Sequence, residues 1–214
     1  MPPVVHPVSL TPGRLEAFSD GVLAVIITIM VLELKVPHQN GAAGLHAILP
    51  ILFVYILSFT FTGIYWVNHH LLVSRVEQVD GRILYSNLLF LFCSSLLPYF
   101  TSWVLEKDRD SFSVVLYTAS LLATGSTFML LRLAVERRLR LAGEHTHSGA
   151  ATERKHWISL SLYVLALPVA CLHPTAAMLL DAVVTLVWIL PDLGTRHCRL
   201  DPHTASLSPQ NRPS

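Results

Sequence analysis

The sequence predicts an all-α protein built as a bundle of six transmembrane helices, and three observations carry that prediction. Of its 214 residues, 52% are hydrophobic and only 14% charged, where soluble domains carry about 25% charged residues. The apolar residues gather in six runs near the ~20 residues needed to cross a hydrocarbon layer roughly 30 Å thick. The Lys and Arg residues lie between those runs and fall overwhelmingly on one side.

The first predicted helix, 15–36, has an apolar core of only 22–32, interrupted by Thr28 and bracketed by Asp20 and Glu33. Such a helix suits a protein interior better than lipid. Its core has the length of a signal-peptide h-region, but flanking acids and the lack of a small-residue cleavage site argue against cleavage. The second helix is predicted at 45–73, the third at 83–105 and the fourth at 111–135. The fifth, 156–172, and the sixth, 175–190, are joined by a tight hairpin at His173 and Pro174, since proline disfavours helix in the residue before it. Residues 1–13, with four prolines, and the polar tail 193–214 read as mobile cytoplasmic ends of a six-helix domain spanning 14–192.

Basic residues set the orientation. With the N-terminus inside, the cytoplasmic side holds Arg14, Arg75, Arg82, Arg132, Arg137, Arg138, Arg140, Arg154, Lys155, Arg196, Arg199 and Arg212. Outside remain Lys35, Lys107 and Arg109. Both termini are therefore expected in the cytoplasm.

A net charge of +1 gives no basic surplus for nucleic acid. Cys93, Cys171 and Cys198 are odd in number and widely spaced, forming neither a disulfide framework nor a zinc site. The histidines at 145, 147 and 156 read as members of a polar loop without a ligand arrangement. The run Glu136-Arg137-Arg138-Leu139-Arg140 sits at the end of a span and reads as a solvated helix end, not a voltage sensor. No nucleotide-binding, zinc-protease or serine-hydrolase motif occurs, nor the TVGYG potassium filter, and no cofactor is expected. For an enzyme, helices four to six offer Asp181, His173 and Cys171 in no known arrangement.

The first helix is the anomaly. At 100° per residue, Val25, Thr28, Ile29 and Leu32 share a stripe about 100° wide, while Asp20 lies roughly opposite. An intramembrane acid generally faces a partner or water, which makes Asp20 a functional candidate. Arg14 is six positions away, too far to be a helical neighbour. Near the inner end of the second helix, Trp66-Val67-Asn68-His69-His70 places His69 at about the depth of Asp20, so a histidine–carboxylate pair is expected there, as a clamp or a proton sensor.

Arg14-Leu15-Glu16-Ala17-Phe18-Ser19-Asp20-Gly21 resembles the RxxxFSDG signature of the transmembrane protein 175 family of potassium channels. Trp66-x-x-His69-His70 and the segment from Asn87 to Pro98 are similar to that family's second and third spans. The resemblance implies a homotetramer of six-helix chains in the membrane, with potassium ions as cargo; animal endosomal and lysosomal relatives instead carry two repeats per chain and dimerise. It further implies that first helices surround the pore, with the constriction on Val25, a selectivity hydroxyl on Thr28, and apolar layers on Ile29 and Leu32. These four positions are the stripe already obtained from helical spacing.

Val25 departs from the family's isoleucine or leucine, and losing a methylene per subunit implies a wider neck and weaker selectivity. The resemblance also assigns Arg14, Asp20 and His69 to a polar network, with His70 as alternative to His69. Arg14 equally fits a snorkelling interfacial arginine, Ser19 a helix cap, and Trp66 packing or interfacial anchoring. A rival reading is a proton-coupled secondary transporter using Asp20 and His69 as a relay, though no inverted repeat or broken-helix pair supports it.

Overall fold

The structure is a computed structural model and describes residues 11–143 and 150–189. The described residues are all-helical: α1 (Pro12–Leu32), α2 (Gly41–Val73), α3 (Gly81–Ser95), α4 (Leu97–Glu106), α5 (Ser111–Leu141), α6 (Ala150–Leu172) and α7 (Pro174–Ile189). Five units are long and apolar enough to cross a membrane, with α3 and α4 together making one of them. The sixth, α7, is apolar but only 16 residues long. The chain is thus a multi-pass membrane protein of the expected six-helix plan.

Where boundaries differ from expectation, local chemistry explains it. Helix α1 stops at Leu32 instead of reaching Val36, because Pro37 biases the preceding residue toward extended backbone. The third span breaks at Leu96, two residues before Pro98, whose ring and missing N–H cannot continue the ladder of α3. Helix α5 runs six residues past the expected end, to Leu141, carrying Arg138 and Arg140 in its last turn, where cations favour the helix dipole. Asp80 and Asp110 cap α3 and α5, accepting from the Ile83 and Ser113 backbone N–H groups at 2.9 and 3.0 Å.

Helix α5 is the axle of the bundle, packed against α2, α3, α4, α6 and α7. An aromatic cluster of Phe61, Tyr65, Phe90 and Phe128 joins it to α2 and α3. Helix α1 lies to one side, against α2, α3 and α4. At its C-terminal end, Ser102 donates to Glu33 Oε2 at 2.6 Å and Lys35 pairs with Glu106 at 2.7 Å.

Two expectations are corrected. Glu136 is no solvated residue: it is 7% exposed and accepts from Arg132 Nε at 2.8 Å, because α5 continues through this segment as a packed helix. His156 is not in a polar loop but buried within α6, against Phe128 and Trp188. His145, His147, Cys198 and the ends expected to be mobile, up to residue 10 and over 193–214, lie outside the described residues.

Candidate functional site: the two faces of the first helix

Helix α1 has one buried stripe, Leu15, Ser19, Leu23, Ile26 and Met30, at three- and four-residue spacing. This face holds it to α2, α3 and α4. About 120° away by helical geometry, Val25, Thr28, Ile29 and Leu32 are exposed on the subunit, Val25 by 54% and Leu32 by 77%. The structure extends this face toward the N-terminus of α1 through Gly21 and Phe18, which the spacing argument omitted although both sit in the FSDG motif. Beside it opens a cavity of ≈780 Å³ between α1 and the α3–α4 break, lined in part by Phe18, Val25, Ile29, Ser95 and Tyr99.

The Thr28 hydroxyl donates to Val25 O at 2.9 Å. Its hydrogen is therefore engaged within the helix, and its oxygen keeps acceptor capacity on the exposed face. Val25 and Thr28 are one turn apart, so an apolar side chain and a hydroxyl oxygen form successive layers.

The polar network forms, but with other partners than expected. Ser19 is no helix cap: it lies eight residues into α1, fully buried, with its hydroxyl donating to Leu15 O at 2.8 Å. Its oxygen accepts from Asn87 Nδ2 at 2.9 Å, and Asn87 Oδ1 meets His69 Nε2 at 2.7 Å. Ser19, Asn87 and His69, each 0% exposed, thus clamp α1, α3 and α2 at one level. The His69 ring stacks on Phe90, with centroids 5.9 Å apart and planes 15° apart.

The expected pairing of His69 with Asp20 is replaced by two contacts nearer the surface. Trp66 Nε1 donates to Asp20 Oδ1 at 2.9 Å, so Trp66 is a partner of the acid as well as an aromatic surface. The histidine–carboxylate pair is His70 with Glu16, which meet through Nδ1 and Oε1 on a His70 side chain 54% exposed. Asp20 and His69 have separate partners, which removes the direct contact the carrier reading required.

Arg14 is exposed, in the first turn of α1. Asn68 faces away from α1: its Nδ2 donates to Ile64 O at 2.8 Å, and it lines a small cavity against α6 and α7. Asn87 and Glu16 were not singled out. A signal existed for Asn87, the one amide in the long apolar third span; Glu16 sits inside the RxxxFSDG octet. Asp181 is fully buried in α7 whereas Cys171 and His173 are exposed near the α6–α7 turn, so these three do not converge as catalytic groups. No group of three metal-ligating side chains occurs among the described residues.

Comparison with known proteins follows this geometry. The model of the family described as endosomal/lysosomal potassium channel TMEM175 matches residues 14–98, the stretch that holds the clamp. A potassium channel of Chryseobacterium sp. (strain P1-3) is 42% identical over 86% of this chain and 95% of its own. The human endosomal/lysosomal proton channel TMEM175 is 26% identical over 86% of this chain and 40% of its own. Among solved structures, a lysosomal potassium-selective channel TMEM175 homolog from Chamaesiphon minutus superposes with a TM-score of 0.70 at 26% identity, covering 83% of this chain and 96% of that one. The fold, the family-model match and a near full-length relative all agree: this chain belongs to the TMEM175 channel family.

Proposed function

We propose that the chain is a potassium channel of the cell membrane, in which four copies place the exposed face of α1 around one ion path, with both termini in the cytoplasm. The observation that carries this reading is the exposure of Val25, Thr28, Ile29 and Leu32 on a helix whose other side is locked into its own subunit. The names of its relatives support potassium as the ion.

In this reading Val25 forms the narrowest apolar ring, backed by Ile29 and Leu32, and expels water when narrow; tilting or rotating α1 rehydrates it. Thr28 oxygens replace part of the hydration shell of potassium. One ring of hydroxyls offers fewer ligands than stacked carbonyl rings, so selectivity over sodium is moderate. The Ser19–Asn87–His69 clamp and the Asp20–Trp66 and Glu16–His70 contacts set the orientation of α1, and Arg14 anchors its inner end at the membrane surface. The channel domain in this reading spans residues 14–192.

The test is Thr28→Val, nearly isosteric but lacking the oxygen. Recorded in planar bilayers under a potassium/sodium gradient, it is expected to lower the potassium-to-sodium permeability ratio. An unchanged ratio would refute the role of Thr28.

A further inference from the structure

The two ends of the bundle differ in charge. At one end the α1–α2 connection, from 33 to 40, meets the α4–α5 connection, from 106 to 110, and together they hold four acids and three bases, a net of one negative charge per chain. At the other end residues 74–82 and 137–141, joined by the Arg138–Gln78 hydrogen bond, hold five arginines against two acids. The exposed Val25–Leu32 face of α1 runs toward the negative end.

Of the four acids there, Glu33 alone stands on this face. It is the C-cap of α1, one residue past Leu32 and one turn past Ile29. It lines the ≈780 Å³ cavity together with Val25 and Ile29, and the other three acids do not. Its carboxylate is held in place by α4, since Oε2 accepts from Ser102 at 2.6 Å. The base that feels its charge is Lys35, whose ammonium is taken by Glu106 at 2.7 Å. The hydrogen bond and charge of Glu106, and then the charge of Glu33, hold that ammonium above its ordinary value. Two acids therefore share one base, and Glu33 forms no ion pair among the described residues. Asp108, by contrast, lines a separate cavity of ≈80 Å³ against Ala47 and Pro50 of α2.

A fixed charge beside a narrow path with apolar walls gathers ions of opposite sign at its mouth, and rings of carboxylates do so in cation channels. We propose that Glu33 sets the rate at which cations enter the ion path. The inference rests on the reading that four copies place α1 around one path; four Glu33 carboxylates then stand at its mouth just beyond Leu32 and raise the local potassium concentration. Ser102 is the positioning residue that keeps the carboxylate there. The charge acts on all alkali cations alike, so choice between potassium and sodium stays with the Thr28 layer.

The test is single-channel conductance in planar bilayers at about 0.1 M and about 1 M potassium chloride, where a surface charge is felt over ~10 Å and ~3 Å. Glu33→Gln removes the charge and keeps an acceptor for Ser102. It is expected to lower conductance about twofold at the lower salt and by less than about 1.2-fold at the higher, with the potassium-to-sodium permeability ratio unchanged. Asp108→Asn removes the same charge from the same end but away from α1, and is expected to stay within about 1.2-fold of the parent at both. If Glu33→Gln does not fold, Glu33→Cys in a chain whose native cysteines are serine takes its place. A sulfonate-bearing thiosulfonate is then expected to restore the low-salt conductance, and an ammonium-bearing one to depress it further. The proposal is overturned by unchanged conductance, by a loss equal at both salt concentrations, or by an equal loss in Asp108→Asn. Those outcomes in a conducting parent leave the ion path standing, whereas a parent that passes no current removes the path and the proposal with it.

Discussion

Asn87 joins three helices through two side-chain hydrogen bonds, and replacing it with leucine keeps the volume while removing both. Ser19 keeps its bond to Leu15 O and loses only an acceptor role. His69 loses its one hydrogen bond, since its Nδ1 already lacks a partner. Interhelical hydrogen bonds within membranes average ~0.6 kcal/mol and reach ~1.7 kcal/mol, and an orphaned buried polar group costs ~1–3 kcal/mol. Asn87→Leu is therefore expected to cost about 2 kcal/mol. His69→Leu should cost a similar amount, and the double variant should fall short of the sum by about 1 kcal/mol, the signature of a shared interaction. Equilibrium unfolding in mixed micelles, followed by tryptophan fluorescence, gives all three values. Loss under ~0.5 kcal/mol for Asn87→Leu, or strict additivity in the cycle, would refute the clamp.

Two further substitutions probe the scaffold. A Cβ at Gly125 would meet the Tyr65 hydroxyl at 3.0 Å and Leu160 Cδ2 at 3.2 Å, so Gly125→Ala is expected to destabilise by about 1–2 kcal/mol despite its better helix propensity, with partial recovery in a Tyr65→Phe background. The Ser113 side chain beside it and the Ser113 backbone N–H, which donates to Oδ1 at 3.0 Å, hold the Asp110 carboxyl below its ordinary 3.8. A depressed carboxyl contributes stability above that value and loses it as pH falls through the lower folded one. Asp110→Ala should accordingly lower the thermal midpoint at pH 7, and the gap to the parent should close as the pH is taken below the depressed folded value; a constant gap would contradict the cap.

The fold was largely legible because lipid makes hydropathy a strong signal: five spans appear where apolar runs put them, and the expected tight α6–α7 hairpin turns at His173 alone, with Pro174 opening α7 instead of lying in the turn. The α3–α4 break was written in Pro98 but drowned in an unbroken apolar run. The α1 stripe was legible because helical period alone fixes which side chains share a face. The clamp was not, since Ser19, His69 and Asn87 come from three helices, and Asp20 and His69 at similar depth say nothing of azimuth. Glu136 and His156 were misread for a related reason: a charge near a helix end is solvated or buried depending on which neighbour covers it.

The central claim is that the Val25 side of α1 faces water and ions in the assembled protein. The most direct measurement is Val25→Cys in a chain whose Cys93, Cys171 and Cys198 are replaced by serine, recorded in bilayers before and after a charged, membrane-impermeant thiosulfonate. The account predicts progressive loss of potassium current, with protection by a permeating or blocking cation. Contradiction would be an unchanged current at a position that a lipid-soluble maleimide labels readily.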